Sequence, residues 1–73
     1  MSQWPSAKAS RVYRALLKIG WTVKPQSTSS GSHKTLIRPG YLPYTWAFHN
    51  SDEIGPKMLA RIAKHTGLEP SDL

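Results

Sequence analysis

The 73-residue sequence contains no cysteine and only four acidic residues. Without cysteine there can be no disulfide, thiolate zinc site or thiol catalysis, and we expect a reducing, cytoplasmic compartment. All four acids lie in the last third of the chain, at Asp52, Glu53, Glu69 and Asp72. This leaves little material for a catalytic carboxylate pair or a carboxylate metal cage. Any chemistry is therefore expected to depend on histidine, lysine, arginine or a hydroxyl group.

Long hydrophobic runs are also absent. No apolar stretch approaches the ~20 residues that span a bilayer, and the opening segment MSQWPSAKAS lacks the apolar centre of a secretion signal. We therefore expect no membrane partner. A chain this short has room for one domain, residues 1–73, and its 38% hydrophobic content is enough for one thin core.

Positive charge is what the sequence has in excess. Ten lysines and arginines against four acids give a formal net charge of +6. Such a balance predicts a polyanion or an acidic protein as the partner.

Two segments have the hydrophobic period of a helix. The first covers residues 6–19, with Ser6 as its predicted N-cap and Gly20 at its exit. The second covers residues 56–66 and exits at Gly67. Their predicted buried faces are Val12, Ala15, Leu16 and Ile19 in the first helix, and Met58, Leu59, Ile62 and Ala63 in the second. Asp52 and Glu53 lie just ahead of the second helix, where their negative charges are expected to interact favourably with the positive, N-terminal end of the helix dipole.

Three segments between these helices favour strands, at residues 21–25, 33–38 and 43–49. In the third strand, the period of two places Tyr44, Trp46 and Phe48 on a core face. Residues 26–32 are dense in serine and lack periodicity, which predicts a mobile loop. The order α-β-β-β-α predicts an α+β fold with both helices on one face of a three-stranded antiparallel sheet. The tail after residue 68 is expected to add a final turn or to fray.

Each predicted helix carries a stripe of basic residues. The interpretation that competes with ligand binding is a solvated polar face. Because no acid stands at i±4 within the stripes, the cations repel one another by a few tenths of a kcal/mol per pair, and phosphates lying across them would offset that cost. The stripes are Arg11, Arg14 and Lys18 in the first helix, and Lys57, Arg61 and Lys64 in the second.

Three histidines are candidates for chemistry, and their separation matches no zinc-binding spacing. His65 falls in the last turn of the second helix, where an imidazolium would cap the negative dipole end. His33 follows Gly31-Ser32 where a loop enters a strand, a position that suits an acid or base and is also compatible with a surface or structural residue. His49 is either a second acid or base or a hydrogen-bonding residue at a strand end.

The arrangement of these segments resembles the HicA, or YcfA-like, family of small toxins. The resemblance rests on Lys18-Ile-Gly-Trp21 at the end of the first helix, on Gly31-Ser-His33 opening a strand, on a strand ending in His49 and on Gly67-Leu68 after the last helix. It covers almost the whole chain and implies a fold of the double-stranded-RNA-binding-domain type. It also implies a metal-independent ribonuclease that cleaves mRNA, uses no small-molecule cofactor and pairs with a HicB antitoxin. The catalytic histidine of the family's Gly-Ser-His motif corresponds to His33, accompanied by Gly31 and Ser32.

The leading hypothesis is that His33 acts as general acid or base on an RNA phosphodiester, with Lys34 and Arg38 as the nearest cations to stabilise the phosphate. Two alternatives stay open. One is a module that binds double-stranded RNA without cutting it. The other is a protein-interaction domain whose basic face docks an acidic partner.

Overall fold

The computed structural model describes residues 4–25 and 33–73 of the chain. Its elements confirm the α+β class and the predicted α-β-β-β-α order, to which two very short strands are added. The predicted loop at residues 26–32, with Gly31 and Ser32, lies outside the described residues. In chain order the elements are β1 (Ala7–Lys8), α1 (Ala9–Lys18), β2 (Thr22–Val23), β3 (Lys34–Ile37), β4 (Tyr44–Trp46), β5 (Glu53–Ile54), α2 (Pro56–Thr66) and a 3-10 turn (Pro70–Asp72).

The main sheet is antiparallel with the order β2-β3-β4. Its inner face contacts both helices. The Tyr13 ring of α1 lies 5.7 Å from the Trp46 ring, and the His65 ring of α2 lies 5.9 Å from the Tyr44 ring, measured between centroids. Tyr44 and Trp46 share a face because residues two apart in a strand point the same way. Both helices therefore cover one face of the sheet, as the sequence predicts.

The core combines the helix faces with inward sheet residues. Val12, Leu16, Leu59 and Ile62 are buried, as predicted. The expectation for Met58 is wrong, since its side chain is 38% exposed. Met58 lies about 100° before Leu59 around the helix, outside the arc of residues that face the sheet.

Trp21 anchors the sheet to α2. Its side chain is fully buried, and its indole Nε1–H donates a hydrogen bond to the Thr66 carbonyl at 3.0 Å. Burying a Trp requires such a partner for its N–H group. Trp21, the residue before β2, thus fixes the position of the last turn of α2.

The prediction that Ser6 caps the first helix is wrong. Residues Ala7–Lys8, just before α1, are extended and pair with β5, so α1 begins at Ala9. The N–H of Ala9 donates to the Asp52 carbonyl at 2.8 Å, and the N–H of Ser10 donates to the Asn50 carbonyl at 3.3 Å. Backbone carbonyls therefore satisfy helix-terminal N–H groups that a side chain was expected to cap.

The two acids expected at the start of the second helix also have other positions. Glu53 lies in β5 opposite Lys8, and Asp52 lies in the turn before β5. Gly55 is the N-cap of α2, and no acid lies in the first turn of that helix. The two acids thus precede the N-cap by three and two residues, and Glu53 is paired with Lys8 in the sheet.

Both helices end at the predicted glycines. Gly20 has φ of +117° and Gly67 has φ of +77°, in the region where residues with a side chain are strained. At Gly67 a Cβ atom would also lie 2.7 Å from the Tyr41 Oη. The tail adds the 3-10 turn and buries Leu68.

Neither helix in the described part of the chain has the length and apolarity needed to cross a membrane.

Candidate active site

The structure brings His33 and His49 to one end of the sheet. Lys34 pairs with Trp46, and extending this register by one residue places His33 opposite Ala47, two residues before His49. All three of His33, Ala47 and His49 are exposed. His33 lies one residue before β3, and Ala47 and His49 lie beyond Trp46, the last paired residue of β4. Diagonal neighbours across an antiparallel pair have Cα atoms about 7–8 Å apart, so a continued extended register would bring the two imidazoles within reach of one ligand.

The backbone of His49 is held by Asp52. The N–H of His49 donates to Asp52 Oδ2 at 2.8 Å, and the N–H of Asp52 donates to the His49 carbonyl at 2.9 Å. The Asp52 carbonyl in turn accepts the N–H of Ala9 at the start of α1. On the inner side, the Phe48 ring packs 5.0 Å from the Trp46 ring. His49 is therefore an exposed side chain on an anchored turn.

A groove opens beside this end of the sheet, with a volume of about 320 Å³. We call it the α1 groove; it is lined by Ser10, Tyr13, Arg14, Lys34 and Asn50. Two of these residues are chain neighbours of the histidines, since Lys34 follows His33 and Asn50 follows His49. The two histidines and the α1 groove thus lie at the same end of β3 and β4.

Lys34 is held in the α1 groove by an aromatic ring. Its Nζ atom lies 4.8 Å from the centroid of the Tyr13 ring, and the same ring packs against Trp46. A cation over an aromatic face is stabilised by about 0.5–1 kcal/mol at a partly exposed site. Tyr13 therefore holds the charge of Lys34, the residue that follows His33, on the helix side of the sheet, and Arg14 contributes a second positive charge to the groove.

The two basic stripes reach different places. All six of their side chains are exposed. In the α1 stripe, Arg14 borders the α1 groove, with Arg11 and Lys18 on the same side of the helix. In the α2 stripe, Arg61 and Lys64 border a second groove of about 710 Å³. We call this the α2 groove; it is lined by Tyr44, Met58, Arg61, Ile62, Lys64 and His65.

His65 lies in the last turn of α2, as predicted, and its ring stacks on Tyr44 at an interplanar angle of 28°. Burial raises the pKa of the Tyr44 hydroxyl above its usual value of 10.0. The Thr66 carbonyl at this helix end accepts hydrogen bonds from Trp21 and Arg38. His65 thus belongs to the α2 groove, whereas the chain neighbours of His33 and His49 line the α1 groove.

Arg38 does not join His33. It lies five residues further along the same strand direction, about 16 Å away at the rise of an extended chain. Its guanidinium carbon is 4.6 Å from the Tyr41 ring centroid, and its Nη1 donates to the Thr66 carbonyl at 3.5 Å. These contacts tie β3 to the C-terminal end of α2. They give Arg38 a structural role at the opposite end of the sheet.

Three residues of the α1 groove, Ser10, Tyr13 and Asn50, were not identified from the sequence. Tyr13 lies between the buried Val12 and the exposed Arg14, at the boundary of the apolar face and the basic stripe. That boundary position is a usable signal for a residue that lines a helix–sheet groove. Asn50 gives no comparable signal, because only the docking of its turn on α1 brings it to the groove.

Among residues 4–25 and 33–73, no cluster of three histidine, aspartate or glutamate side chains could hold a metal ion.

A small basic α+β domain with two histidines beside a cationic groove has the features of a protein that acts on nucleic acid. The family model described as the HicA toxin of bacterial toxin–antitoxin systems matches residues 9–68. The chain therefore belongs to the HicA toxin family, whose members are toxins of toxin–antitoxin systems and generally ribonucleases. No curated protein and no solved structure matches the chain significantly.

Proposed function

We propose that this chain is a toxin that cleaves mRNA by general acid–base catalysis, with His33 and His49 as the two proton-transferring groups. The observation that carries the proposal is the position of these histidines. They lie just outside the same end of β3 and β4, both side chains are exposed, and each is followed in the chain by a residue of the α1 groove. Membership of the HicA family supports RNA as the substrate.

The proposed reaction is an internal transfer within the RNA. One neutral imidazole removes the proton of a ribose 2′-hydroxyl, and the 2′-oxygen forms a bond to the adjacent phosphorus. The bond from phosphorus to the 5′-oxygen breaks, and the second, protonated imidazole donates a proton to that oxygen. The products are a 2′,3′-cyclic phosphate and a 5′-hydroxyl. DNA should resist because it lacks the 2′-hydroxyl.

Positive charge at the groove would stabilise the phosphate as it gains charge. Lys34 is the closest cation to His33 along the chain, and Arg14 stands with it in the α1 groove. Arg11 and Lys18 extend the positive surface over about 10 Å of helix, at 1.5 Å per residue. Lys57, Arg61 and Lys64 add to the field that attracts a polyanion to the molecule.

Family membership supports an antitoxin as the second partner. We propose a HicB-like protein that covers the exposed histidine end of the sheet. Such a cover would keep RNA away from His33 and His49 while leaving the buried core unchanged.

The test compares purified wild type with His33→Ala on a labelled RNA in EDTA, followed by end-group analysis. A general acid or base contributes about 10²–10⁴ in rate, so cleavage should fall by that factor. His49→Ala should also reduce cleavage. The matched control is His65→Ala, which removes the histidine of the α2 groove and should leave cleavage unchanged.

Other outcomes separate the alternatives. RNA that is bound and left intact by the wild type would favour a module that only binds double-stranded RNA. Absence of RNA binding, together with salt-sensitive binding to an acidic protein, would favour the interaction domain. Cleavage at the parental rate by His33→Ala would remove His33 from the mechanism.

A further inference from the structure

The β4 strand has an open edge. Among the described strands only β3 pairs with it. On the other side of β3, the Lys24 N–H donates to the Thr35 carbonyl at 2.8 Å, so the backbone polar groups of Thr35 face β2. Successive residues of a strand point these groups to opposite sides. The neighbouring residues Lys34 and Leu36 therefore direct theirs toward β4.

This alternation identifies the group at the open edge. Tyr44 and Trp46, the partners of Leu36 and Lys34, direct their backbone groups toward β3. The N–H and C=O of Thr45 consequently point away from the sheet. Pro43, which has no N–H, limits the edge on one side. The result is a short segment able to accept one more strand.

The α2 groove lies directly beside this edge, between β4 and α2. The side chains of Tyr44 and Ile62 form its apolar part, and Met58 adds a thioether side chain that is 38% exposed. Its cations are Arg61 and Lys64, with His65 stacked on Tyr44. A strand edge, an apolar cavity and a positive rim are thus within reach of one extended ligand.

We propose that an extended, acidic segment of a protein partner adds to β4 as a fourth strand of the sheet. Thr45 supplies the backbone hydrogen bonds, an aliphatic side chain enters the α2 groove, and carboxylates on either side of it meet Arg61 and Lys64. In strand addition, main-chain hydrogen bonds give affinity and pockets for alternate side chains give specificity.

The charge and the apolar floor together select this occupant. The cations favour an anionic ligand, and the apolar surface of Met58 and Ile62 favours an aliphatic group between the charges. A nucleic-acid strand would satisfy the cations but lacks the regularly spaced N–H and C=O groups with which a polypeptide pairs along a strand edge. The proposal concerns the α2 groove and the β4 edge, neither of which includes His33, and does not depend on RNA cleavage.

The probe is a capped seven-residue peptide, Thr-Glu-Thr-Val-Thr-Glu-Thr. Paired opposite Thr45, its threonines face outward, and its glutamates and valine face the α2 groove. Binding is measured by fluorescence anisotropy and by hydrogen exchange of the Thr45 amide. We expect saturable binding and at least tenfold slower exchange at Thr45 on saturation.

Two methylated peptides make the control strict. N-methylation of the threonine amides blocks the hydrogen bonds to β4 and should weaken binding at least tenfold. N-methylation of the glutamate and valine amides alters groups that point away from β4 and should weaken it much less. Equal effects of the two methylations, or no binding of the parent peptide, would overturn the proposal.

Variants of the protein test the charges and the edge. Arg61→Glu and Lys64→Glu should each weaken peptide binding at least fivefold, whereas Lys24→Glu, an exposed charge reversal beside β2, should not.

Thr45→Pro removes the backbone N–H at the open edge of β4 and Thr45→Ala retains it, so only Thr45→Pro should abolish binding. If Thr45→Pro fails to fold, the two methylated peptides still show whether the ligand pairs with β4. An RNA oligonucleotide that protects the Thr45 amide in place of the peptide would assign the groove to RNA and overturn the proposal.

Discussion

The two grooves carry the same sign of charge and differ in what lies between the charges. The α1 groove presents hydroxyl, phenol and amide groups around Lys34 and Arg14, next to two histidines. The α2 groove has about twice the volume, 710 against 320 Å³, and an apolar floor beside a free strand edge. A basic stripe on a helix therefore predicts an anionic partner without identifying it. The neighbouring groups of the sheet determine which anion fits.

The strongest test of this comparison is to reverse the charges of one groove at a time. Arg14→Glu with Lys34→Glu should lower RNA affinity and cleavage by more than tenfold. Two lost contacts to single-strand phosphates should also reduce the slope of log K against log salt by about 1.4. Arg61→Glu with Lys64→Glu should have a smaller effect on RNA and leave that slope nearly unchanged. The readout is RNA anisotropy across a salt series, together with initial cleavage rates.

Thermal unfolding of each variant is measured as a control, because Lys34 also lies over the Tyr13 ring and its replacement could lower the stability of the fold. Lys34→Gln removes the positive charge without adding a negative one and should give a smaller loss of RNA affinity. If both double variants lower the RNA affinity and the salt slope equally, the two grooves are one continuous RNA surface and the distinction is lost.

The second prediction concerns Arg38. Arg38→Ala removes the contact with Tyr41 and the hydrogen bond to the Thr66 carbonyl. We expect the free energy of unfolding to fall by about 1–2 kcal/mol, a loss of several degrees in Tm, without a change in the cleavage rate of the folded protein. Arg11→Ala, an exposed residue of α1, is the control for stability and should change it by less than about 0.5 kcal/mol.

Denaturant unfolding and single-turnover cleavage below the unfolding transition distinguish the two roles of Arg38. Loss of cleavage with an unchanged unfolding midpoint would instead support the sequence-based prediction that Arg38 contacts the substrate.

Much of the fold follows from local signals in the sequence. The bounds of α2 agree with prediction at both ends, because Pro56 suits the first turn and Gly67 supplies the left-handed exit. The start of α1 could not be predicted in this way. It depends on Ala7–Lys8 pairing with Glu53–Ile54, which are distant in the chain. A local N-cap signal at Ser6 cannot report such a long-range pairing.

The candidate site shows the same limit. The period of two places Lys34 and Arg38 on one strand face, and their charge makes both look suitable for phosphate. Which helix lies over each end of β3 is a property of tertiary packing. Tyr13 of α1 meets Lys34, and the end of α2 meets Arg38. The sequence alone therefore identified Lys34 and Arg38 as cations of one strand. It could not predict that Lys34 contacts α1 and Arg38 contacts the end of α2.

The smallest expected effect comes from Asp52, which holds the His49 turn. Asp52→Ala removes the acceptor for the His49 N–H, so we expect about 1 kcal/mol less stability and a cleavage rate lower by a few fold. Asp52→Asn keeps an oxygen acceptor and should restore most of the rate. If the effect passes through His49, then Asp52→Ala should cause no further loss in a His49→Ala background. An equal loss in both backgrounds would mean that Asp52 stabilises this end of the sheet as a whole. Its contact with the His49 backbone would then not explain the effect on cleavage.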